Sequence, residues 1–311
     1  MKILVTGAAG FLGSNLSQKL LNEGHKVVAV DNMITGNKKN IKKLQRNKNF
    51  KFIKHDVIKY KSFNVDGIFN LACPASPQLY QKNPIHTVKT NVIGASNLLE
   101  LASKKKIRIL QASTSEIYGD PKLSPQTEEY WGNVNPVGVR SCYDEGKRTA
   151  ETLFMDFHRQ NGVDIRIARI FNTYGPNMHI NDGRVVSNFI VQAITNQNIT
   201  IYGDGNQIRS FCFVDDLIDG LISLFFKEDL FNPINLGNPE PISMNNLASE
   251  IIKLTNSKSQ ITYMKLPNDD PVNRIPDISK AKLLLNWNPL VDRESGLLKT
   301  IEYFSNEIKA Q

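Results

Sequence analysis

Tyr143 and Lys147 stand four residues apart in the run Tyr-Asp-Glu-Gly-Lys. On a helix, residues i and i+4 lie on one face. An ammonium close to a phenol favours the phenolate. Such a phenol can take a proton from an alcohol as hydride leaves the same carbon. Lys147 could also hold the ribose of a nicotinamide cofactor. The spacing alone is common, so its meaning depends on where the fold puts it. A second group follows the apolar run 107–112: Ser113, Thr114, Ser115 and Glu116. A hydroxyl there can orient a substrate alcohol toward Tyr143. Ser113 and Ser115 suit ordinary turn hydrogen bonds, which leaves Thr114 and Glu116 as the functional pair.

The third chemical signal is Thr6-Gly7-Ala8-Ala9-Gly10-Phe11-Leu12-Gly13, with spacing GxxGxxG. Gly7 permits a tight turn, Gly10 lets a pyrophosphate approach the backbone, and Gly13 lets a helix pack closely on a strand. A helix beginning here would turn unpaired N–H groups and a positive dipole end toward the phosphates. Asp31 closes the next apolar run, at the distance expected of a ribose-binding acid. Its carboxylate would accept from ribose hydroxyls and repel a 2′-phosphate, which favours NAD over NADP. The plainer alternative is a strand-ending Asp beside a structural glycine turn. Asp56 could reach an adenine amino group, although alone it reads as a turn residue.

These groups need parallel strands whose carboxyl ends meet. Short β-branched runs supply them at 2–6, 26–30, 50–53, 67–70, 107–112 and 164–169. Helical patterns lie between them at 11–23, 84–105 and 143–160. Alternation of this kind indicates βαβ units in an α/β, Rossmann-type, doubly wound parallel sheet. After about Gly175 the segments shorten and become richer in Pro, Asn and Gly. Helices are expected at 185–195, 215–226, 244–255 and 293–308. Residues 1–175 are read as an NAD-binding domain. Residues 176–311 are read as a smaller α/β substrate-binding cap, from which some segments return to the first domain.

Composition narrows the classes. The chain is 41% hydrophobic and 22% charged, an ordinary globular balance. Its formal net charge is +8. The basic clusters at 38–43 and 104–106 have no interleaved aromatics to stack bases, so they read as solvated faces, with no nucleic-acid partner. Cys73, Cys142 and Cys212 form no CxxC pair, and the five histidines are scattered, so no metal is expected. Reduced thiols and the lack of any run near transmembrane length lead to the expectation of a soluble, cytoplasmic protein with no membrane partner.

Taken together, TGxxGxxG, Asn70-Leu-Ala72, STSE-x-YG and YxxxK resemble the extended short-chain dehydrogenase/reductase family. The longer runs ACPASP (72–77), STSEIYGDP (113–121), CYDEGKR (142–148), ARIFNTYGP (168–176) and NDGRVVSNFI (181–190) resemble its UDP-glucuronate decarboxylases. The resemblance implies tightly held NAD and a cycle in which the sugar's 4-hydroxyl is oxidised. The resulting β-keto acid loses CO2, and the ketone is reduced again to give UDP-xylose. It implies catalytic positions at Thr114, Glu116, Tyr143, Lys147 and Arg274. It implies cofactor contacts at Phe11, Leu12, Asp31, Asn32, Thr35, Gly36, Asp56, Val57, Leu71, Thr90, Thr173, His179 and Arg184, and substrate contacts at Asn172, Arg209 and Arg274. It also implies a homodimer built on the helices at 84–105 and 143–160.

Physical chemistry constrains Arg274 and Glu116 further. A guanidinium clamped on the sugar carboxylate would stabilise the ground state and slow CO2 loss. Arg274 is therefore expected to bind diphosphate or orient the sugar, and Glu116 to destabilise the carboxylate as a like charge. The alternative for Arg274 is a surface ion pair with Asp270 or Asp277. Three other readings remain. A 4,6-dehydratase would need an acid where Ser115 stands. A 4-epimerase pattern usually lacks the Glu at 116. A non-catalytic dinucleotide sensor would have no use for Thr114, Tyr143 and Lys147 together.

Overall fold

The computed structural model describes residues 1–266 and 273–310. Its centre is a sheet of seven parallel strands. In chain order the first six are β1 (Lys2–Thr6), β2 (Lys26–Asp31), β3 (Phe50–Lys54), β4 (Gly67–Asn70), β5 (Arg108–Thr114) and β6 (Ile165–Ile170). The seventh is Ile234–Leu236. Across the sheet the order is Ile234–Leu236, β6, β5, β4, β1, β2, β3, with every neighbouring pair parallel. The order reverses between β1 and β4, which opens a crevice at the carboxyl ends of those strands.

The period of two along β1 explains the two layers. Ile3 and Val5 join a core that includes Leu16 and Leu20 of helix α1 (Phe11–Asn22) and Leu217, Leu221 and Leu224 of the Val214–Phe226 helix. Leu4 points the other way, into a core with Leu98 and Leu99 of the Ala95–Lys105 helix and Ala150 and Phe154 of the Ser141–Asn161 helix. A strand buried on both faces must be apolar throughout, and Ile3, Leu4 and Val5 are each 0% exposed.

The expected helix at 84–105 is continuous but not uniform. It runs as Pro84–Lys89, then a wider π-turn at Thr90–Gly94, then Ala95–Lys105. The Lys-rich run is also partly regular. Asn37 caps a Lys38–Leu44 helix by accepting from Lys39 N at 2.9 Å, and Ile41 and Leu44 reach the core.

After β6 the chain builds a second layer from short pieces. Ile208–Ser210 lies between Pro241–Ser243 (antiparallel) and Asn273–Arg274 (parallel). Ile199–Tyr202 pairs with Ile261–Met264. The helices Val185–Ile194, Met244–Thr255 and Arg293–Lys309 pack around them. Two segments beyond residue 175 belong to the large sheet instead. The Val214–Phe226 helix covers one face, and Ile234–Leu236 pairs with β6.

Candidate active site

Gly7 lies at φ +64°, and a Cβ there would meet Leu71 O at 2.7 Å. A Cβ at Gly13 would stand 2.1 Å from Gly7 O, a backbone atom that cannot swing aside. The glycine turn and the start of α1 are thus in direct backbone contact. Among the described residues, α1 has no side-chain cap and no acid in its first turn. Its positive end is left for an anion.

Asp31 sits where β2 ends and is 8% exposed. Its Oδ2 accepts from Ala9 N at 3.0 Å and its Oδ1 from Met33 N at 2.8 Å. Burial raises this carboxyl above its usual range, against the pull of the two N–H groups. Each oxygen keeps lone-pair capacity for a hydroxyl donor. Asp56 lies one strand over. Asn32 Nδ2 donates to its Oδ2 at 3.0 Å, His86 Nε2 stands 2.9 Å from the same oxygen, and Ile58 N donates to Oδ1 at 3.1 Å. Burial pushes Asp56 up, but these partners outweigh it and hold it below the ordinary carboxylate value.

A cleft of about 720 Å³ runs from this region to Tyr143. Its walls include Gly7, Gly10, Phe11, Leu12, Gly13, Asp31, Asn32, Thr35, Gly36, Val57, Leu71 and Thr90. They also include Thr114, Glu116, Tyr143, Lys147, Asn172, Thr173, His179 and Arg184. Asp56, Arg209 and Arg274 do not line it directly. Asp56 stands behind Asn32 and His86, and Arg274 stands behind Glu116. Arg209 is buried in the small sheet, on the Ile208–Ser210 strand paired with Asn273–Arg274.

Tyr143 and Lys147 lie in the first two turns of the Ser141–Asn161 helix and are 5% and 4% exposed. Lys147 Nζ is 5.6 Å from the Tyr143 ring centre and donates to Ala112 O, on β5, at 2.7 Å. Burial pushes the phenol well above its ordinary value. Cys73 adds to this, while the Thr114 hydroxyl opposes it. Burial likewise pulls Lys147 below its ordinary value. The sequence expectation was that Lys147 would favour phenolate. In this buried cleft desolvation works the other way and raises the phenol. Thr114 ends β5, and its Oγ1 accepts from Glu116 N at 3.3 Å, capping the short Ser115–Tyr118 turn. Ser113 Oγ is occupied elsewhere, donating to Glu151 Oε1 at 2.5 Å.

Glu116 departs most from expectation. Its carboxylate is held by Arg140 and Arg274 together, with Arg274 Nη2 at 3.0 Å from Oε2. Burial pushes Glu116 up, but Arg274, Arg140 and Arg209 together bring it below its usual value. A carboxylate compensated by this many cations cannot act as an unscreened like charge, so the proposed repulsion of a substrate carboxylate does not fit the geometry. Arg274 is no surface ion pair either. Its side chain is 7% exposed and its partner is Glu116. Asp270, one of the partners considered for it, lies outside the described residues.

Two neighbours carried no sequence signal. Tyr80 stacks on Tyr143 with ring centres 4.9 Å apart and planes 7° from parallel. Asp144 lies beside Arg140, with Oδ2 3.9 Å from Nε, and is pushed up to about 7 by burial and by Glu116. Among the described residues, Tyr80 Oη and Asp144 Oδ1 are buried without a hydrogen-bond partner. Arg140 could have been suspected from its place three residues before Tyr143. Tyr80 is sixty-three positions away and is found only in space.

Comparison with known proteins agrees with this arrangement. Residues 3–237 match the model of the NAD dependent epimerase/dehydratase family. The chain is 52% identical over 310 residues to UDP-glucuronic acid decarboxylase 1 of Xenopus tropicalis, covering all of this chain and 73% of the frog protein. It is 55% identical over 298 residues to UDP-glucuronic acid decarboxylase 3 of Arabidopsis thaliana, covering 96% of this chain and 87% of the plant protein. The crystal structure of UDP-glucuronic acid 4-epimerase from Bacillus cereus, in complex with UDP-glucuronic acid and NAD, superposes with a TM-score of 0.89 at 30% identity. That match covers 99% of this chain and all of the epimerase. The uncapped α1, the glycine turn that admits no Cβ, and Asp31 at the end of β2 form a donor set that fits NAD. With its nucleotide crevice, Thr114 and the Tyr143–Lys147 pair, this chain belongs to the NAD dependent epimerase/dehydratase family.

Proposed function

We propose that this chain converts UDP-glucuronate to UDP-xylose and CO2 with NAD as its resident cofactor. The observation that carries the reading is the grouping at the end of β5. Thr114 and Tyr143 line the same cleft together, and Glu116 beside them is tied to Arg274 from the second layer. The high identity to UDP-glucuronic acid decarboxylases supports the same reading.

Gly7, Gly10 and Gly13 with the start of α1 would hold the pyrophosphate, and Asp31 the adenosine ribose. Lys147 would hold the nicotinamide ribose. When bound, NAD supplies reversible hydride acceptance at the sugar's C4. Tyr143 Oη is the group placed to take and return the 4-hydroxyl proton. Thr114 Oγ1, in the same cleft, would orient that hydroxyl. For CO2 loss, the electron pair of the C5–C6 bond moves toward the adjacent C4 carbonyl. Tyr143 Oη and Thr114 Oγ1 are positioned to donate to the developing oxyanion, where fixed donors in a dry site are most effective. Asn172, Arg209 and Arg274 would engage the sugar and diphosphate. His179 and Arg184 would close the cofactor side, where the Arg184 guanidinium lies 5.6 Å from the Phe11 ring centre.

The test is incubation of purified protein with UDP-glucuronate, without added cofactor, followed by mass spectrometry. A UDP-pentose with no net NADH is the expected product. A UDP-4-keto-pentose with NADH would mean that the cycle stays open. An unchanged mass even with NAD supplied would overturn the reading and favour a 4-epimerase or a 4,6-dehydratase on another nucleotide sugar.

The same reading includes a homodimer and a cytoplasmic location. Ile85, Val88 and Ile93 are 70%, 38% and 42% exposed on the segment that packs against the Ser141–Asn161 helix, which supports a second copy there. For the location, the support is that no helix among the described residues is long and apolar enough to cross a membrane, and that the three thiols are free.

A further inference from the structure

Glu116 is gripped from two sides by groups of different origin. Arg140 starts the Ser141–Asn161 helix, and its carbonyl accepts from Tyr143 N at 2.9 Å and Asp144 N at 3.1 Å. Its backbone therefore belongs to the same turn as the phenol. Arg274 comes from the Asn273–Arg274 strand of the second layer. The Arg140, Glu116 and Arg274 side chains are 11%, 13% and 7% exposed. Other charged or titratable groups face Glu116 as well. They are Tyr143 and Asp144 from the helix, Tyr80 from the Pro77–Tyr80 turn, and Arg209 from the small sheet.

A buried carboxylate that loses its cation is strongly disfavoured. If Arg274 is to engage the diphosphate or orient the sugar, it must give up Glu116, and something must remain. Arg140 is the partner fixed to the sheet-and-helix layer. We propose that Arg140 is a positioning residue for the reaction above, holding the Glu116 carboxylate in place while Arg274 exchanges it for the sugar nucleotide. The inference rests on that functional reading. Without Arg140, Arg274 stays on Glu116 and the sugar nucleotide arrives without its cation. Tyr80 Oη and Asp144 Oδ1, both buried and without a hydrogen-bond partner among the described residues, lie around the same carboxylate.

The test uses the full-length holoenzyme with Arg140→Met and Arg140→Lys, each with and without Glu116→Gln. Arg140→Met is expected to lower kcat/KM by about ten-fold or more. It should also move the acid limb of kcat to higher pH, because Glu116 with one cation fewer protonates sooner. In the Glu116→Gln background the same change should have almost no further effect. Arg140→Lys keeps a charge without the planar fork, and should restore the acid limb but only part of the rate. Additive losses, or an unmoved acid limb, would overturn the proposal. Should Arg140→Met fail to fold, the decision passes to a carbon-13 NMR titration of Glu116 in wild type and Arg140→Lys, with Glu116→Gln identifying the signal. A Glu116 titration close to wild type with only part of the rate is the expected result for Arg140→Lys, and a full rate in that variant overturns the idea. If the wild type releases no CO2, the functional reading fails separately, and the Glu116 titration still shows whether Arg140 holds that carboxylate.

Discussion

At the scale of single residues, burial sets the behaviour of the site. Burial pushes the Tyr143 phenol up, so once it has given up its own proton its oxygen is a strong base toward a substrate hydroxyl. Tyr143→Phe removes that proton path without changing the packing. Its turnover should fall by about 10²–10⁴-fold, with NAD retention and melting temperature unchanged. Asp144 and Glu116 respond to pH with opposite signs. Asp144 is raised to about 7, so between its ordinary value of 3.8 and about 7 the folded state binds more protons than the unfolded one. Its contribution weakens the fold as pH rises through that window. Glu116 is lowered from 4.5, so its contribution is present above 4.5 and is lost as pH falls through its folded value. Thermal melts of Asp144→Asn against wild type from pH 5 to 8 should show a smaller decline in the variant; equal slopes would refute the assignment. Gly13→Ala should be severe, since its Cβ would stand 2.1 Å from a carbonyl oxygen of Gly7. A loss of about 1–3 kcal/mol, read as a lower melting temperature, should come with loss of co-purifying NAD.

At the scale of elements, the strands that carry chemistry were readable because each is an apolar run ending in a polar functional residue. β1 ends at Thr6, β2 at Asp31, β4 at Asn70 and β5 at Thr114. The glycine turn and the Tyr143–Lys147 helix followed from spacing. The π-turn at Thr90–Gly94 did not, since its side chains keep nearly helical spacing. Its consequence is packing: Gly94 comes so close to Val57 that an added Cβ would lie 2.7 Å from Val57 Cγ2. Gly94→Ala sets two effects against each other. Helix propensity favours Ala by about 1 kcal/mol, whereas overpacking costs about 1–3 kcal/mol. Packing should win, and because Val57 lines the cleft, weaker NAD retention is expected in a fluorescence or absorbance titration. Short strands such as Thr173–Tyr174 and Asn273–Arg274 were illegible, because two residues cannot establish a period. The Arg140–Glu116–Arg274 group was hidden for a different reason. Its members span 116 to 274, and only the tertiary fold brings them together.

At the scale of the whole molecule, the exposed Ile85, Val88 and Ile93 give the proposed dimer a test. Ile85→Glu should halve the mass measured by light scattering and make the melting temperature independent of protein concentration. A wild-type chain already at monomer mass would refute the dimer. The Ile234–Leu236 strand has a consequence of its own. The chain leaves the large sheet after β6, builds much of the second layer, and comes back to lay this strand along the outer side of β6. A fragment cut at residue 175 would leave that flank open. Bare N–H and C=O groups of β6, beside the buried apolar side chains of Ile165 and Ile167, would offer a template for other chains. Expressed alone, the first 175 residues should aggregate instead of binding NAD as a free-standing module.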